Sequence, residues 1–123
     1  MLQKTIQLFN DKEEELVNHL VGIGTKRPVA KMLVYLARKP EATAREIEHG
    51  ADLRQPEVSV AIRTMSRLGW IWDRMTPSDR KGRPVHTVAL ALPVGQILDL
   101  IGKQMMEETR SRVSLIRKLR NSV

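Results

Sequence analysis

A chain of 123 residues has the length of one ordinary domain and is long enough to bury a single core. Its 21 Lys and Arg outnumber its 14 Asp and Glu, which gives a net charge of +7. The absence of Cys excludes a disulfide framework, a thiolate zinc site and a Cys nucleophile. The apolar runs are too short to span a membrane and the first residues do not resemble a secretory signal, so we expect a cytoplasmic protein without a membrane partner.

Two helices are predicted in the first third of the chain, over residues 10–22 and 26–39. Asn10 and Glu13 have the spacing of a capping box, and apolar residues follow at helical spacing: Leu16, Val17, Leu20 and Val21. Thr25 is the expected cap of the second helix, with Pro28 in its first turn. Its predicted buried stripe consists of Val29, Met32, Leu33 and Leu36.

Two further helices, over residues 43–50 and 55–68, are separated by a tight turn and therefore predict a helix-turn-helix. Thr43 and Glu46 form a second capping box, and Ile47 points inward. Gln55 is the expected, weak cap of the longer helix, and Gly69 ends it. Its predicted buried stripe consists of Val58, Ile62, Met65 and Leu68.

The pattern changes at Trp70 to one that is typical of a β-hairpin over residues 70–92. Strand-forming residues lie at both ends of this range, and residues 77–84 between them have the composition of a loop. The fold class predicted from the sequence is therefore mainly α with a small β-hairpin. We expect a domain over residues 1–92 and a long helix over residues 93–123.

The side of the longer helix opposite its apolar stripe carries the candidate contact residues. Arg63 and Gln55 have the chemistry for bidentate contacts to guanine and adenine edges, and Ser59 suits a base or a phosphate. Arginine and lysine side chains in the hairpin loop are suited to binding phosphates or entering a minor groove. The complete predicted DNA-binding set is Arg54, Gln55, Ser59, Arg63, Arg67, Arg80, Lys81 and Arg83.

The order of these motifs resembles a winged helix-turn-helix domain, most of all the MarR-like and TrmB-like transcriptional regulators of bacteria and archaea. The resemblance lies in residues 43–47, residues 55–59, Leu68-Gly69-Trp70-Ile71 and Lys81-Gly82-Arg83-Pro84. It implies a homodimer that reads a palindromic operator in double-stranded DNA. The larger TrmB-type proteins carry a C-terminal sugar-binding domain with no counterpart in this sequence, and a small-molecule effector is not indicated.

The last helix is predicted to join two copies of the chain. Its apolar stripe is too long for so small a domain to cover, so pairing with a second copy is the simplest explanation. The polar stretch 107–112 interrupts the stripe and is interpreted as a register-setting or splayed segment. The predicted dimerisation residues are Leu98, Ile101, Met105, Ile116 and Leu119.

No enzyme, cofactor or metal site is predicted. The serines lack a nucleophile elbow, no carboxylate pair stands out, and the three histidines do not have the spacing of metal ligands. The function predicted from the sequence is sequence-specific binding of double-stranded DNA and regulation of transcription as a homodimer. Two alternatives remain: a winged helix that binds another protein, and an architectural protein that binds DNA without sequence preference.

Overall fold

A computed structural model describes residues 9–77 and 84–123 of the chain. The elements in chain order are α1 (Asp11–Gly22), α2 (Arg27–Arg38), β1 (Glu41–Thr43), α3 (Ala44–Gly50), α4 (Gln55–Arg67), β2 (Ile71–Thr76), β3 (Val85–Leu90) and α5 (Val94–Ser122). The chain divides into two compact units, one ending at Leu92 and one beginning at Pro93. The mainly helical fold with a small antiparallel β-structure agrees with the predicted fold class.

Both predicted capping boxes are present, and they determine where α1 and α3 begin. The backbone N–H of Glu13 donates to Oδ1 of Asn10 at 2.8 Å, and the N–H of Asn10 donates to Oε1 of Glu13 at 3.0 Å. The same exchange joins Thr43 and Glu46 at 3.1 and 2.9 Å. Each box satisfies two of the backbone N–H groups that the first turn of a helix leaves without a partner.

The other two predicted caps were wrong by one residue. Lys26, not Thr25, occupies the cap position of α2, because the N–H of Thr25 bonds back to the carbonyl of Leu20 at 3.0 Å. Arg54, not Gln55, precedes α4, and its N–H donates to Oε1 of Glu57 at 2.9 Å. In each case the backbone hydrogen bonds around the turn, which the sequence pattern does not show, set the cap position.

The β-structure is a three-stranded sheet with the order β1-β3-β2, whereas only the hairpin of β2 and β3 was predicted. The antiparallel hairpin runs from the pair Ile71↔Leu90 to the pair Thr76↔Val85. Strand β1 was missed because three residues are too few to show a period of two. It forms by pairing with a distant segment, with Ala42 opposite Val88.

The core of the first unit combines the predicted helical stripes with apolar residues of all three strands. Helix α2 buries seven of its 12 residues, including the four that were predicted, and α1, α3 and α4 supply Val17, Ile47 and Met65 with no exposed surface. Leu68, predicted in the buried stripe of α4, is instead 50% exposed, although its backbone is still helical and its N–H donates to the carbonyl of Thr64 at 3.1 Å. Leu16, which has helical spacing in α1, is 47% exposed beside the buried Val17.

Helix α5 makes up almost all of the second unit, with 29 residues from Val94 to Ser122 and Pro93 as its cap residue. Every residue from Met106 onward is exposed. Within residues 9–77 and 84–123, α5 and the other helices all lack an apolar segment long enough to cross a membrane.

Candidate nucleic-acid interface

The turn between α3 and α4 gives the helix-turn-helix its geometry. Ala51 and Leu53 point inward and are buried, while Asp52 between them is exposed and adopts a left-handed conformation with φ of 54°. Aspartate tolerates this region of backbone space better than most residues. The N–H of Leu53 donates to the carbonyl of Glu48 at 3.0 Å, and Nζ of Lys31 donates to the carbonyl of Asp52 at 3.3 Å. The turn is therefore tied both to α3 and to α2.

The outer face of α4 presents a row of polar side chains spaced four residues apart. Gln55, Ser59, Arg63 and Arg67 are all exposed, and residues at this spacing lie above one another on one side of a helix. The opposite side is buried, since Val58, Ala61, Ile62 and Met65 are no more than 4% exposed. The polar row is thus held on a helix whose other side is anchored in the core.

The remaining predicted contact residues fall into two groups. Arg54 is exposed at the start of α4, next to the row. Arg80, Lys81 and Arg83 belong to the hairpin loop and lie outside the described residues. The loop is bounded by Pro77 and Pro84, both of them exposed.

A shallow cleft of about 340 Å³ lies beside the middle of α4, where it is lined by Ser59, Ile62, Arg63, Ser66, Asp73 and His86. Asp73 connects three elements of the fold here. Its Oδ1 accepts a hydrogen bond from the Ser66 hydroxyl at 3.2 Å, and its Oδ2 lies 2.8 Å from Nε2 of His86. Polar side chains therefore join α4 to both strands of the hairpin at this point.

No pattern in the sequence predicted this Ser66–Asp73–His86 cluster. Its members come from α4, β2 and β3, and no spacing along the chain relates them. Another contact on the hairpin had a local signal, because alternate residues of a strand share a face. The guanidinium of Arg74 lies 4.3 Å from the ring centroid of Trp72, and Nη2 of Arg74 lies 3.9 Å from Oε2 of Glu41 on β1.

An ion pair joins the end of α2 to α3, the first helix of the helix-turn-helix. Nζ of Lys39 donates to Oε2 of Glu46 at 2.8 Å. This hydrogen bond is the main reason why the pKa of Lys39 is raised and the pKa of Glu46 is lowered, and the Thr43 N–H further lowers the pKa of Glu46. Both side chains are 46% exposed, so solvent weakens the pair.

Several solved structures share this architecture. TrmBL2, an archaeal chromatin protein whose structure shows a novel mode of DNA binding, superposes on 89% of this chain with a TM-score of 0.66 and 14% identity. This chain spans 39% of the length of that protein. A possible transcriptional regulator from Methanosarcina mazei Go1 matches over 93% of this chain and 97% of its own, with a TM-score of 0.61 and 11% identity.

A transcriptional regulator homologue from Pyrococcus horikoshii OT3 matches over 84% of this chain and 95% of its own, with a TM-score of 0.52 and 15% identity. No protein-family model matches the sequence, and neither does any curated protein. At these identities the likeness shows the fold. The winged helix-turn-helix fold that the sequence motifs predicted is therefore confirmed.

Proposed function

We propose that this protein binds double-stranded DNA as a homodimer and regulates transcription, with α4 lying in the major groove. The observation that carries the proposal is an exposed polar row on α4, the second helix of the helix-turn-helix, whose opposite side is buried in the core. The row consists of Gln55, Ser59, Arg63 and Arg67. A major groove accommodates one α-helix, and such a helix reads sequence with three or four side chains. Regulatory function is further supported by the regulators that share this fold.

Each side chain of the row has a distinct task. Arg63, in the middle, is suited to the O6 and N7 acceptors of a guanine, and Gln55 to the N6 and N7 atoms of an adenine. Ser59 lies between them and can contact a base or a phosphate. Arg54 and Arg67 at the ends of α4 are suited to phosphates, which positions the helix without specifying sequence.

We expect the hairpin loop to add contacts with the DNA backbone. Arg80, Lys81 and Arg83 are proposed to neutralise phosphates next to the major groove, because such contacts need positive charge and little fixed geometry. The acidic side chain of Asp73 lines the same cleft as Arg63, and it would repel a phosphate placed there. We therefore expect the DNA backbone to lie toward Arg54 and Arg67 rather than over the cleft.

We assign dimerisation to α5, because its exposed apolar residues would be buried if a second copy of the chain packed against them. Leu98, Ile116 and Leu119 are between 43% and 61% exposed. Two α4 helices related by a two-fold axis would read two half-sites separated by about one helical turn of DNA or a multiple of it.

A second candidate function is binding to DNA without sequence preference, as an architectural protein. The likeness to an archaeal chromatin protein favours this alternative. It uses the same charged surface and differs in one measurable respect. An architectural protein should bind random and selected duplexes equally well, whereas a sequence reader should discriminate between them by about a thousandfold or more.

The test begins with titration of the protein into a labelled mixed-sequence duplex at several salt concentrations. The fluorescence anisotropy of the duplex measures binding. A steep loss of affinity with salt is expected, because each phosphate contact releases counterions. Absence of binding at low salt would contradict both DNA-binding functions. Preferred sequences selected from a random pool then serve as competitors against random duplexes.

Arg63→Ala separates the two functions further. On a selected sequence it should lower discrimination at one base position by about 1–3 kcal/mol, as expected for a lost bidentate contact. The matched control is Lys12→Ala, which removes one exposed charge from α1, outside the helix-turn-helix. Equal weakening by Arg63→Ala on every sequence would assign Arg63 to a phosphate instead of a base.

A further inference from the structure

Helix α5 carries a stripe in which residues recur at alternating intervals of four and three along its whole length. This is the heptad spacing of a helix that packs against another helix. The stripe is apolar on both sides of a charged centre, where Glu108 and Arg112 take two successive positions. The predicted dimerisation residue Ile116 lies at the edge of the stripe, next to Leu115, and the last position is polar. The members of the stripe are Val94, Leu98, Ile101, Met105, Glu108, Arg112, Leu115, Leu119 and Ser122.

The stripe is open to solvent where it matters for association. Leu98, Leu115 and Leu119 are 43%, 56% and 58% exposed, and Ile101 and Met105 are partly exposed. Glu108 and Arg112 are exposed as well. Oε2 of Glu108 accepts one hydrogen bond from the Gln104 amide at 3.3 Å, and in the described part of the chain Arg112 has no ion pair within 4.0 Å.

We propose that the stripe binds the α5 helix of a second copy of this chain in antiparallel orientation, with Glu108 of each copy opposite Arg112 of the other. The inference rests on the homodimer of the proposed function and specifies its orientation and register. Two reciprocal ion pairs then lie at the centre of the interface. Each charged group meets an opposite charge at the point where the apolar stripe is interrupted.

The same register pairs every apolar position in the overlap with another stripe position. Met105 of one copy faces Leu115 of the other, and Ile101 faces Leu119. Leu98 faces Ser122 at each end of the overlap. In heptad terms each layer combines an a position with a d position, which is how antiparallel helices pack. The overlap from Leu98 to Ser122 is about 37 Å long at 1.5 Å per residue.

The other simple arrangements offer the central charges no opposite charge across the interface in the same layer. A parallel pair would place Glu108 against Glu108 and Arg112 against Arg112, and like charges across an interface are repulsive. An antiparallel pair shifted by one heptad would place Glu108 against Met105 or Leu119, with no opposite charge in the same layer. Burial of a charge without a partner is unfavourable, so the charges select one register.

Cysteine crosslinking tests the orientation and the register directly, because the natural chain has no Cys. Met105→Cys and Leu115→Cys are made separately in the full chain, and the two proteins are mixed and mildly oxidised. The proposed register brings these two positions together across the interface, and a disulfide requires Cα atoms within about 7 Å. We expect a crosslinked dimer from the mixture and little from either protein alone.

Two other crosslinks would overturn the proposal. Disulfide formation by Met105→Cys with itself would show a parallel pair. Efficient crosslinking of Leu98→Cys with Leu115→Cys, in place of the expected pair, would show an antiparallel dimer shifted by one heptad. All of these substitutions lie on the stripe of α5, so they are matched in position and chemistry.

A charge-exchange series tests the reciprocal ion pairs. Glu108→Arg and Arg112→Glu should each weaken the dimer by more than about tenfold, because each one places like charges opposite each other. The double variant with both exchanges should restore the dimer, since opposite charges would again face each other across the interface. In a parallel dimer each exchange would only replace one like-charge contact with another, so selective rescue by the double variant would not occur.

Failure of this inference and failure of the proposed function give different results. If the natural chain sediments as a monomer at micromolar concentration, both the dimer and its register are wrong, and DNA titration of the same sample still tests α4. If the natural chain is a dimer but the expected crosslink and the rescue are absent, only the register is wrong. A dimer with both results supports the register.

Discussion

Helices α2 and α5 are both amphipathic, yet they differ in how much of their surface is covered. Helix α2 buries seven of its 12 residues, while α5 buries one of 29. The apolar face of α2 is covered by elements of its own unit, since α1, α3 and α4 all contact it. The C-terminal half of α5 has its apolar residues in water.

An apolar stripe therefore contributes to stability only through the residues that cover it. For α2 the cover is part of the same chain, so its contribution is independent of protein concentration. For α5 the proposed cover is a second copy, so its contribution should grow with concentration. Substitutions in the two helices should therefore be distinguishable by measurement at low and high concentration.

The largest loss of stability is expected from a substitution that creates a cavity where α2 packs into the core. Leu36 has no exposed surface, and Leu36→Ala should lower the free energy of unfolding by about 2–5 kcal/mol at any protein concentration. The matched control on α5 is Leu119→Ala, because Leu119 is 58% exposed. In urea unfolding of dilute protein it should cost well under about 1 kcal/mol. An equal loss in both variants would contradict the comparison.

A pair of glycine substitutions should change stability in opposite directions. An added Cβ at Gly50 would clash with the ring of the buried Tyr35, so Gly50→Ala should destabilise the first unit by about 1–3 kcal/mol. In α5, Gly102 has open space around it, and Gly102→Ala should stabilise the helix by about 0.5–1 kcal/mol.

Thermal unfolding followed by circular dichroism measures both glycine effects. The control for Gly50→Ala is the double variant with Tyr35→Leu, in which a smaller side chain relieves the contact. If Gly50→Ala costs as much in the Tyr35→Leu background as it does in the natural chain, the clash is not the cause.

The smallest expected effect concerns the exposed ion pair that braces α2 against α3. Because the pKa of Glu46 is lowered in the folded chain, its contribution is present above its ordinary value of 4.5 and is lost as the pH falls through the lowered value. Because the pKa of Lys39 is raised, that contribution is present below 10.5 and is lost as the pH rises through the raised value.

Glu46→Gln should therefore reduce stability by about 0.2–1 kcal/mol at pH 7 and by less at an acid pH below the lowered pKa of Glu46, where the natural carboxyl is itself protonated. Urea unfolding at the two pH values measures the difference. Lys39→Met is the companion variant, and combining it with Glu46→Gln should add little further loss at pH 7. Full additivity of the two losses would show that the pair is not coupled.

Features that depend on neighbours within about one helical turn were predictable from the sequence alone. The capping boxes at Asn10 and Thr43 involve a residue and its third successor, so their spacing in the chain is their spacing in space. The buried stripes of α2 and α4 follow from the period of the helix in the same way. These signals were enough to predict the order of the helices, the helix-turn-helix and the outward side of α4, whereas the winged form of the fold was implied by the resemblance to known regulators.

Features that join distant parts of the chain depend on packing and were not predictable from local patterns. Strand β1 exists because Ala42 meets Val88, and the Asp73 cluster exists because α4 and the hairpin pack together. Leu16 and Leu68 are exposed because burial depends on what lies opposite a side chain and not on its own hydrophobicity. Periodicity identifies an apolar face, whereas the packing partners of that face are set by the free energy of the whole fold.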